Sequence, residues 1–290
     1  MTVALSTWAD VSSIANSVQL DAEFVVRESY ILPTLVTNFS DLRGGNLRKN
    51  YNYPALTAAT VGEIDDLTTG TLTPAIGQTL TPIEIGKMVA ISDLRADSQA
   101  PEQIISDLAV ELGRAAGDKI ETHLYADLNS LTGGSVGNVG SAPTWGYLAA
   151  AIAIARNANK SSTVPLACVL HGYHWSVLAK SASVAGATVA VAPGYVDEIT
   201  RTGYVGSFMG VPLYQIYPDV NGSSTTAWAT GAVFPRKALA LDVRRPIRVE
   251  AQRDSSLRAT EFTMSAVYAH GIWNPALGCY FNLLAVTPTT

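Results

Sequence analysis

The chain has 290 residues, enough for one large domain or two modest ones. Hydrophobic residues make up 48% of it and charged residues only 15%, with a net charge of −5. That balance excludes a dedicated nucleic-acid binder, which carries a basic excess, and falls well short of the roughly 25% charged residues of an ordinary soluble domain.

The mean hydropathy is +0.19, so either a membrane or partner subunits must cover apolar surface. A spanning helix needs about 20 continuous apolar residues, whereas the run Leu148 to Ala155 ends at Arg156. The first residues, Met1-Thr2-Val3-Ala4-Leu5, place no basic stretch ahead of an apolar core. The expectation is a chain made in the cytoplasm, without a membrane, that associates extensively with copies of itself. In that reducing setting Cys168 and Cys279, both in apolar contexts, are expected as buried free thiols.

In chain order, residues 1–42 read as an N-terminal arm. Thr7 with Asp10 offers a helix cap, and Val11, Ile14, Val18, Phe24 and Val25 follow at roughly helical spacing until Pro33. Residues 43–92 change character: threonine is dense and Pro54, Pro74 and Pro82 interrupt the pattern. Ile83 to Ile91 alternates with period two and predicts a strand, with Asn46 to Tyr53 as its partner in a long hairpin. Such a ribbon buries little and is marginal alone, so it is expected to lie on a neighbouring molecule.

A long helix is predicted from Ala100 to Asn129. Pro101 suits its first turn, and Glu102 complements the positive N-terminal end. Ile104, Leu108, Leu112, Ala115, Ile120, Leu124 and Leu128 form its apolar stripe, and the helix spans roughly 40 Å. Gly113 and Gly117, one turn apart, predict a bend or close backbone packing. Beyond a glycine loop come a helix over 144–159, a buried strand over 164–171 and a helix over 172–181. A glycine-punctuated turn from Gly203 then leads into a strand ending near Tyr217, followed by a polar loop, Asn221 to Thr226. Strands are predicted over 238–243, 247–252, 259–269 and 279–285.

No constellation points to catalysis. Gly133-Gly134-Ser135-Val136-Gly137 matches G-x-S-x-G, but that elbow needs a strand before it and a helix directly after it. His171 and His174 beside Cys168 lack the third and fourth ligands of a metal site and read as packed residues. There is no phosphate loop around Lys87. Glu63, Asp65 and Asp66 read as solvated charge at the hairpin tip, and Arg244, Arg245, Arg248, Arg253 and Arg258 as ion-pair partners in preference to DNA contacts.

The order of parts resembles the Johnson fold, the HK-ninety-seven-like α+β fold of tailed-bacteriophage capsid proteins, herpesvirus capsid floors and encapsulin shells. The resemblance covers about Asp41 to Ala285. Its most specific local matches are Gly206-Ser207-Phe208-Met209-Gly210-Val211-Pro212-Leu213 and Phe234-Pro235-Arg236-Lys237-Ala238-Leu239-Ala240-Leu241.

The resemblance implies an N-arm (1–42), an E-loop hairpin (43–92), a peripheral domain with a spine helix (93–143), an axial domain (144–230) and returning peripheral strands (231–290). It implies a major capsid protein that assembles as hexamers and pentamers into an icosahedral head around double-stranded DNA. The implied partners are further copies of the chain, a scaffolding protein, a portal, a decoration protein, and packaged DNA held by weak non-specific contact. It implies no enzyme activity, no cofactor, and no catalytic, cofactor-binding or metal-ligating residues. The family's usual N-terminal scaffolding extension has no counterpart ahead of the arm, which implies a separate scaffolding protein or a segment removed earlier. An encapsulin-type shell enclosing enzyme cargo is one alternative, although encapsulins generally have a shorter loop. An α+β enzyme of unknown type is the other.

Overall fold

The computed structural model describes residues 18–19, 21–22, 30–40, 47–52, 58, 60–63, 73–98, 101–160, 163–184, 204–222 and 226–287. Most of the helix expected in the arm, including Thr7, Asp10, Phe24 and Val25, lies outside them, as do Asp65 and Asp66.

The first described elements are a one-turn helix α1 (Leu32–Leu35), a short strand β1 (Thr37–Phe39), and the pair β2 (Arg48–Asn52) and β3 (Ala75–Leu80). Here the structure corrects the predicted hairpin. The partner of β2 is β3, in antiparallel register Arg48↔Leu80 to Asn52↔Ala75. The alternating strand β4 (Ile83–Ser92) pairs instead with a strand almost 170 residues later in sequence, Ile83↔Tyr268 to Ser92↔Ala259. Pro82 separates the two, and its missing N–H marks where the chain leaves one sheet for the other.

A short helix α2 (Asp93–Ser98), not anticipated from the sequence, precedes the long helix α3 (Pro101–Asp127). A 3₁₀ turn, Leu128–Ser130, extends α3 to the predicted end. Leu108, Leu112, Leu124 and Leu128 are buried as expected. The third-turn residue differs: Ala116 is buried and Ala115 exposed. Ala116 continues the i+4 series of Leu108 and Leu112 onto the ribbon, whereas Gly117 lies against the Tyr30 ring. A Cβ on Gly117 would stand 1.9 Å from that ring, so close packing is the reason for this glycine.

The remaining elements are β5 (Ser135–Val136), α4 (Trp145–Asn159), β6 (Leu166–His171), α5 (Gly172–Val184), β7 (Tyr204–Phe208), β8 (Val211–Ile216), β9 (Trp228–Pro235), β10 (Leu239–Asp254), β11 (Ala259–Ile272) and β12 (Cys279–Leu284). Thr144 caps α4, its hydroxyl accepting from the Tyr147 N–H. The glycine-punctuated run after residue 203 is a hairpin and not a turn into one strand. β7 and β8 meet at Met209-Gly210, whose positive φ values of 52° and 73° are those of a two-residue hairpin turn.

Two sheets organise the chain. One has four strands in the order β1-β10-β11-β4, the other six in the order β5-β12-β9-β6-β8-β7. β10 and β11 form a long antiparallel ribbon, and β10 runs unbroken through the stretch expected to divide it. Register shifts between Val243 and Arg248 absorb Pro246, which cannot donate to the ladder. α3 covers one face of this ribbon: Leu108, Ala109, Leu112 and Ala116 pack with Ile247, Val249, Phe262 and Met264.

The six-stranded sheet is built around β9, which the sequence reading missed as a strand. Seven of its eight residues are buried. A strand covered on both faces loses its polar alternation, so the small apolar run of β9 gave no period-two signal. The last strand, expected among the strands of 231–290 that return to the ribbon's domain, joins this sheet by pairing with β9. The chain therefore leaves the six-stranded sheet after Pro235, traces the ribbon, and comes back before Cys279. The two crossings are tied together, since the N–H groups of Trp273 and Asn274 both donate to the Ala238 carbonyl at 2.8 and 3.0 Å. One core joins α3 to both sheets through Leu124, Leu128, Val169, Phe234, Leu239 and Tyr268.

Candidate functional site

The residues with chemical potential are committed to packing. Ser135 lies on the two-residue strand β5, which pairs in parallel with β12. Helix α3 and its 3₁₀ turn precede it, which is not the strand–turn–helix of a nucleophile elbow. His171 lies at the end of β6 and His174 in the first turn of α5. The His171 Nε2 contacts the Pro218 carbonyl at 3.1 Å, and its Nδ1 accepts the Tyr173 N–H at 3.0 Å. The His174 Nε2 contacts the Leu283 carbonyl at 3.1 Å. These bonds place the proton on Nε2 in both rings. Burial lowers both pKa values, that of His174 to about 4, so the two rings are neutral. Among the described residues, no three His, Cys, Asp or Glu side chains gather in a metal-holding group.

Cys168 and Cys279 are buried and free. Both pair with Val233 from opposite sides of β9. Two strand spacings separate their Cα atoms by about 9–10 Å, beyond the roughly 4.4–6.8 Å of a disulfide. Burial pushes both thiols up, Cys279 to about 11.

The arginines of the ribbon are paired within the subunit. Arg244 meets Asp242 at 2.8 Å and Arg253 meets Asp93 at 2.6 Å, Arg245 pairs with Glu84, and Arg248 meets Glu250 at 2.5 Å. Arg258 occupies the left-handed position (φ 48°) of the turn joining β10 to β11. There the Asp254 carboxylate accepts from the N–H groups of Ser256 and Leu257.

The hairpin base holds the residues that sequence reasoning missed. Asp242, fully buried in β10, receives two guanidinium groups, with Arg48 Nε and Arg244 Nη2 each 2.8 Å from Oδ2. The Arg48 guanidinium also stands 4.4 Å above the Phe39 ring. Asn50 Nδ2 donates to the Trp273 carbonyl at 2.7 Å, and Leu80 is buried with Ala240 and Ala269. The base of the hairpin is thus docked on its own subunit, a correction to the expectation that all of it would need a neighbour. The signal was a lone carboxylate, Asp242, inside an apolar run. Towards the tip, Ala58, Thr60, Val61, Gly62 and Glu63 are exposed. Lys87 is exposed in mid-β4, in register with Met264.

A second joint ties the arm to α3. The Tyr30 hydroxyl shares its proton between Asp118 Oδ1 at 2.8 Å and the Arg114 carbonyl at 2.9 Å. One turn on, half-buried Glu121 accepts from the backbone N–H groups of Ile31 and Leu32 at the start of α1.

The surfaces left are those of an assembling subunit: a long ribbon whose edge strand β4 pairs with β11 on one side and with no strand of the described residues on the other, an exposed hairpin tip on an anchored base, and an arm strapped along a helix. Among the described residues no helix is long and apolar enough to cross a membrane.

The chain is similar in fold to a capsid chain of cyanophage Pam1 (TM-score 0.65, 12% identity, covering 88% of this chain and 89% of that one). It is also similar to one from the capsid of cyanophage P-SCSP1u (TM-score 0.63, 15% identity, 88% and 87%). A virus-like particle from Pyrococcus furiosus shares the fold at TM-score 0.59 and 9% identity, over 92% and 98% of the two chains. No curated protein matches the sequence. The family model described as phage capsid protein matches residues 75–277, which take in β3, α3 and every strand of the two sheets except β1 and β12. The chain belongs to the phage capsid protein family, and its α+β architecture is the HK-ninety-seven-like fold.

Proposed function

We propose that the chain is the shell subunit of a bacteriophage head, working through contacts between copies and not through catalysis. The observation that carries the reading is the family match over residues 75–277, which contains both sheets' central strands and the long helix between them. In this reading α3 is the spine, the ribbon β10–β11 with β4 belongs to the peripheral domain, and the six-stranded sheet forms the axial domain. The hairpin tip, exposed on its own subunit, is ordered by a neighbour. Assembly takes place in the host cytoplasm with a scaffolding protein and around a portal. A decoration protein and weak contacts to packaged DNA complete the set of partners.

Shell stability here is non-covalent. Lys87 sits in mid-strand, away from the hairpin tip, and residues 57–81 contain no lysine amine. Expressed with its scaffolding partner, the chain should sediment as megadalton closed particles. After boiling and reduction these should run as one band near 30.6 kDa. Strictly monomeric protein under every condition would overturn the shell reading, and a ladder of higher species would overturn the non-covalent one.

A further inference from the structure

The edge of the ribbon has a sequence suited to pairing with a copy of itself. β4 bonds to β11 along one side, in unbroken register from Ile83↔Tyr268 to Ser92↔Ala259, and no strand of the described residues lies along the other. Successive side chains of a strand alternate between its faces. Ile83, Ile85, Val89 and Ile91 therefore all turn to the face that α3 covers, and they pack there at the rim of the core. Between Ile83 and Ile91 one glutamate and one lysine cancel, and no proline intervenes. An alternating apolar edge of this kind is open to strand addition by another chain.

Lys87 interrupts the series. It holds the place between Ile85 and Val89 on the same face, opposite buried Met264, and yet it is exposed. A lysine stem that starts on the covered face of an edge strand keeps its ammonium in water by reaching out along the open edge.

We propose that Lys87 guards this edge: it stops β4 from pairing with β4 of a second copy and so from extending the four-stranded sheet across two molecules. Two identical strands meet antiparallel about a two-fold axis. The register that sets the whole apolar run against itself puts Ile83 opposite Ile91, Ile85 opposite Val89, and Lys87, midway between them, opposite its own counterpart. Like charges directly opposite one another work against the pair. Sliding the strands by two residues sets each Lys87 beside Val89 or Ile85, where its ammonium loses water and gains no opposite charge. Sliding them by one sets the apolar face of one strand against the polar face of the other. Each register is thus opposed, while the open face of the ribbon, the arm and the hairpin stay free to make contacts. The guard acts between subunits that have not built a shell, so its failure and that of the shell reading are told apart.

Sedimentation velocity of the full chain, at concentrations where the wild type stays unassembled, tests it. Lys87→Val completes the apolar series with a residue that suits a strand, and its weight-average mass should rise towards about twice the wild-type value or beyond. Hydrogen exchange in β4 should slow as this happens, with β9 unchanged. Lys87→Thr, uncharged and equally at home in a strand, should associate in the same way and gives a second reading should Lys87→Val misfold. Lys87→Glu keeps like charge facing like and should sediment as the wild type does. Unchanged mass in both uncharged variants, association of Lys87→Glu as strong as theirs, or association that leaves exchange in β4 unaltered would each overturn the proposal.

Discussion

The two sheets solve opposite problems. The six-stranded sheet encloses β9 so completely that Gly231 has no room for a side chain, a Cβ there falling 2.1 Å from the Phe281 ring. The four-stranded sheet is covered by α3 on one face, while on the other the hairpin base covers only the end around Ala240, Asp242 and Ala269. The rest of that face carries exposed Glu84, Met88, Arg248 and Glu250. A strand closed on both sides contributes stability and gives nothing to a neighbour. A ribbon open on one side and along one edge contributes less and offers a surface. The difference teaches that rigidity and adaptability have been separated in space, with α3 as the element common to both.

Removing one aromatic ring from each sheet would break or sharpen that contrast. Phe234→Ala empties the junction where both sheets meet α3, and large-to-small changes of this kind cost about 3–5 kcal/mol. Phe262→Ala, on the ribbon's covered face, should fall at or below the low end of that range, because the open ribbon can collapse onto the space. Urea unfolding of the two variants measures the difference, and equal losses would erase the distinction.

The next effect concerns the boundary between ribbon and hairpin. Asp242→Ala leaves Arg48 and Arg244 facing one another without their buried carboxylate. Breaking a buried pair from one side costs roughly 3 kcal/mol or more. Part of this should be visible locally, as faster hydrogen exchange in residues 48–52 and 75–80. Unchanged exchange there would mean that Leu80 and Asn50 hold the base alone.

The smallest effect is a slope with pH. The His174 imidazole binds a proton near 6.5 in the unfolded chain but only at about 4 when folded. Between these values the unfolded state holds more protons, so this group's contribution to stability is lost as pH falls through the window. Glu121, raised to about 7 by burial, acts in the opposite sense over an overlapping range. His174→Gln should therefore make stability less sensitive to acid, and Glu121→Gln more so. Thermal unfolding between about pH 4.5 and 7 reads both, and slopes of the same sign in the two variants would contradict the assignment.

Elements whose own residues carry a periodic signal were legible in the sequence. The α3 stripe, the helix expected over 144–159, the alternation of β4 and the two buried thiols were read from such local signals. Partnerships across the chain were not. β4 alternates as a hairpin strand would, but nothing within Ile83–Ser92 says that its partner is Ala259–Tyr268 and not Arg48–Asn52. β9 failed for the reverse reason, because burial on both faces erases alternation. The docking of the hairpin base depended on Asp242, whose meaning comes only from two arginines, one of them distant in sequence. The family resemblance supplied the order of the parts where periodicity could not.

Anchoring β2 and β3 to the subunit also bounds how far the chain between them can extend. The 53–74 segment leaves and re-enters the fold through one fixed base. Each limb, about half that segment, extends at most roughly 35–40 Å. A tip on such a short tether meets a surface within its radius at a high effective concentration and meets nothing beyond it. In the proposed shell, capture of an adjacent copy by the tip would be an intramolecular-like event once two subunits are placed side by side, while free subunits in dilute solution would gain almost nothing from the loop. The ion triad at Asp242, by fixing the base, would thereby set the range over which one subunit of the proposed shell reaches the next.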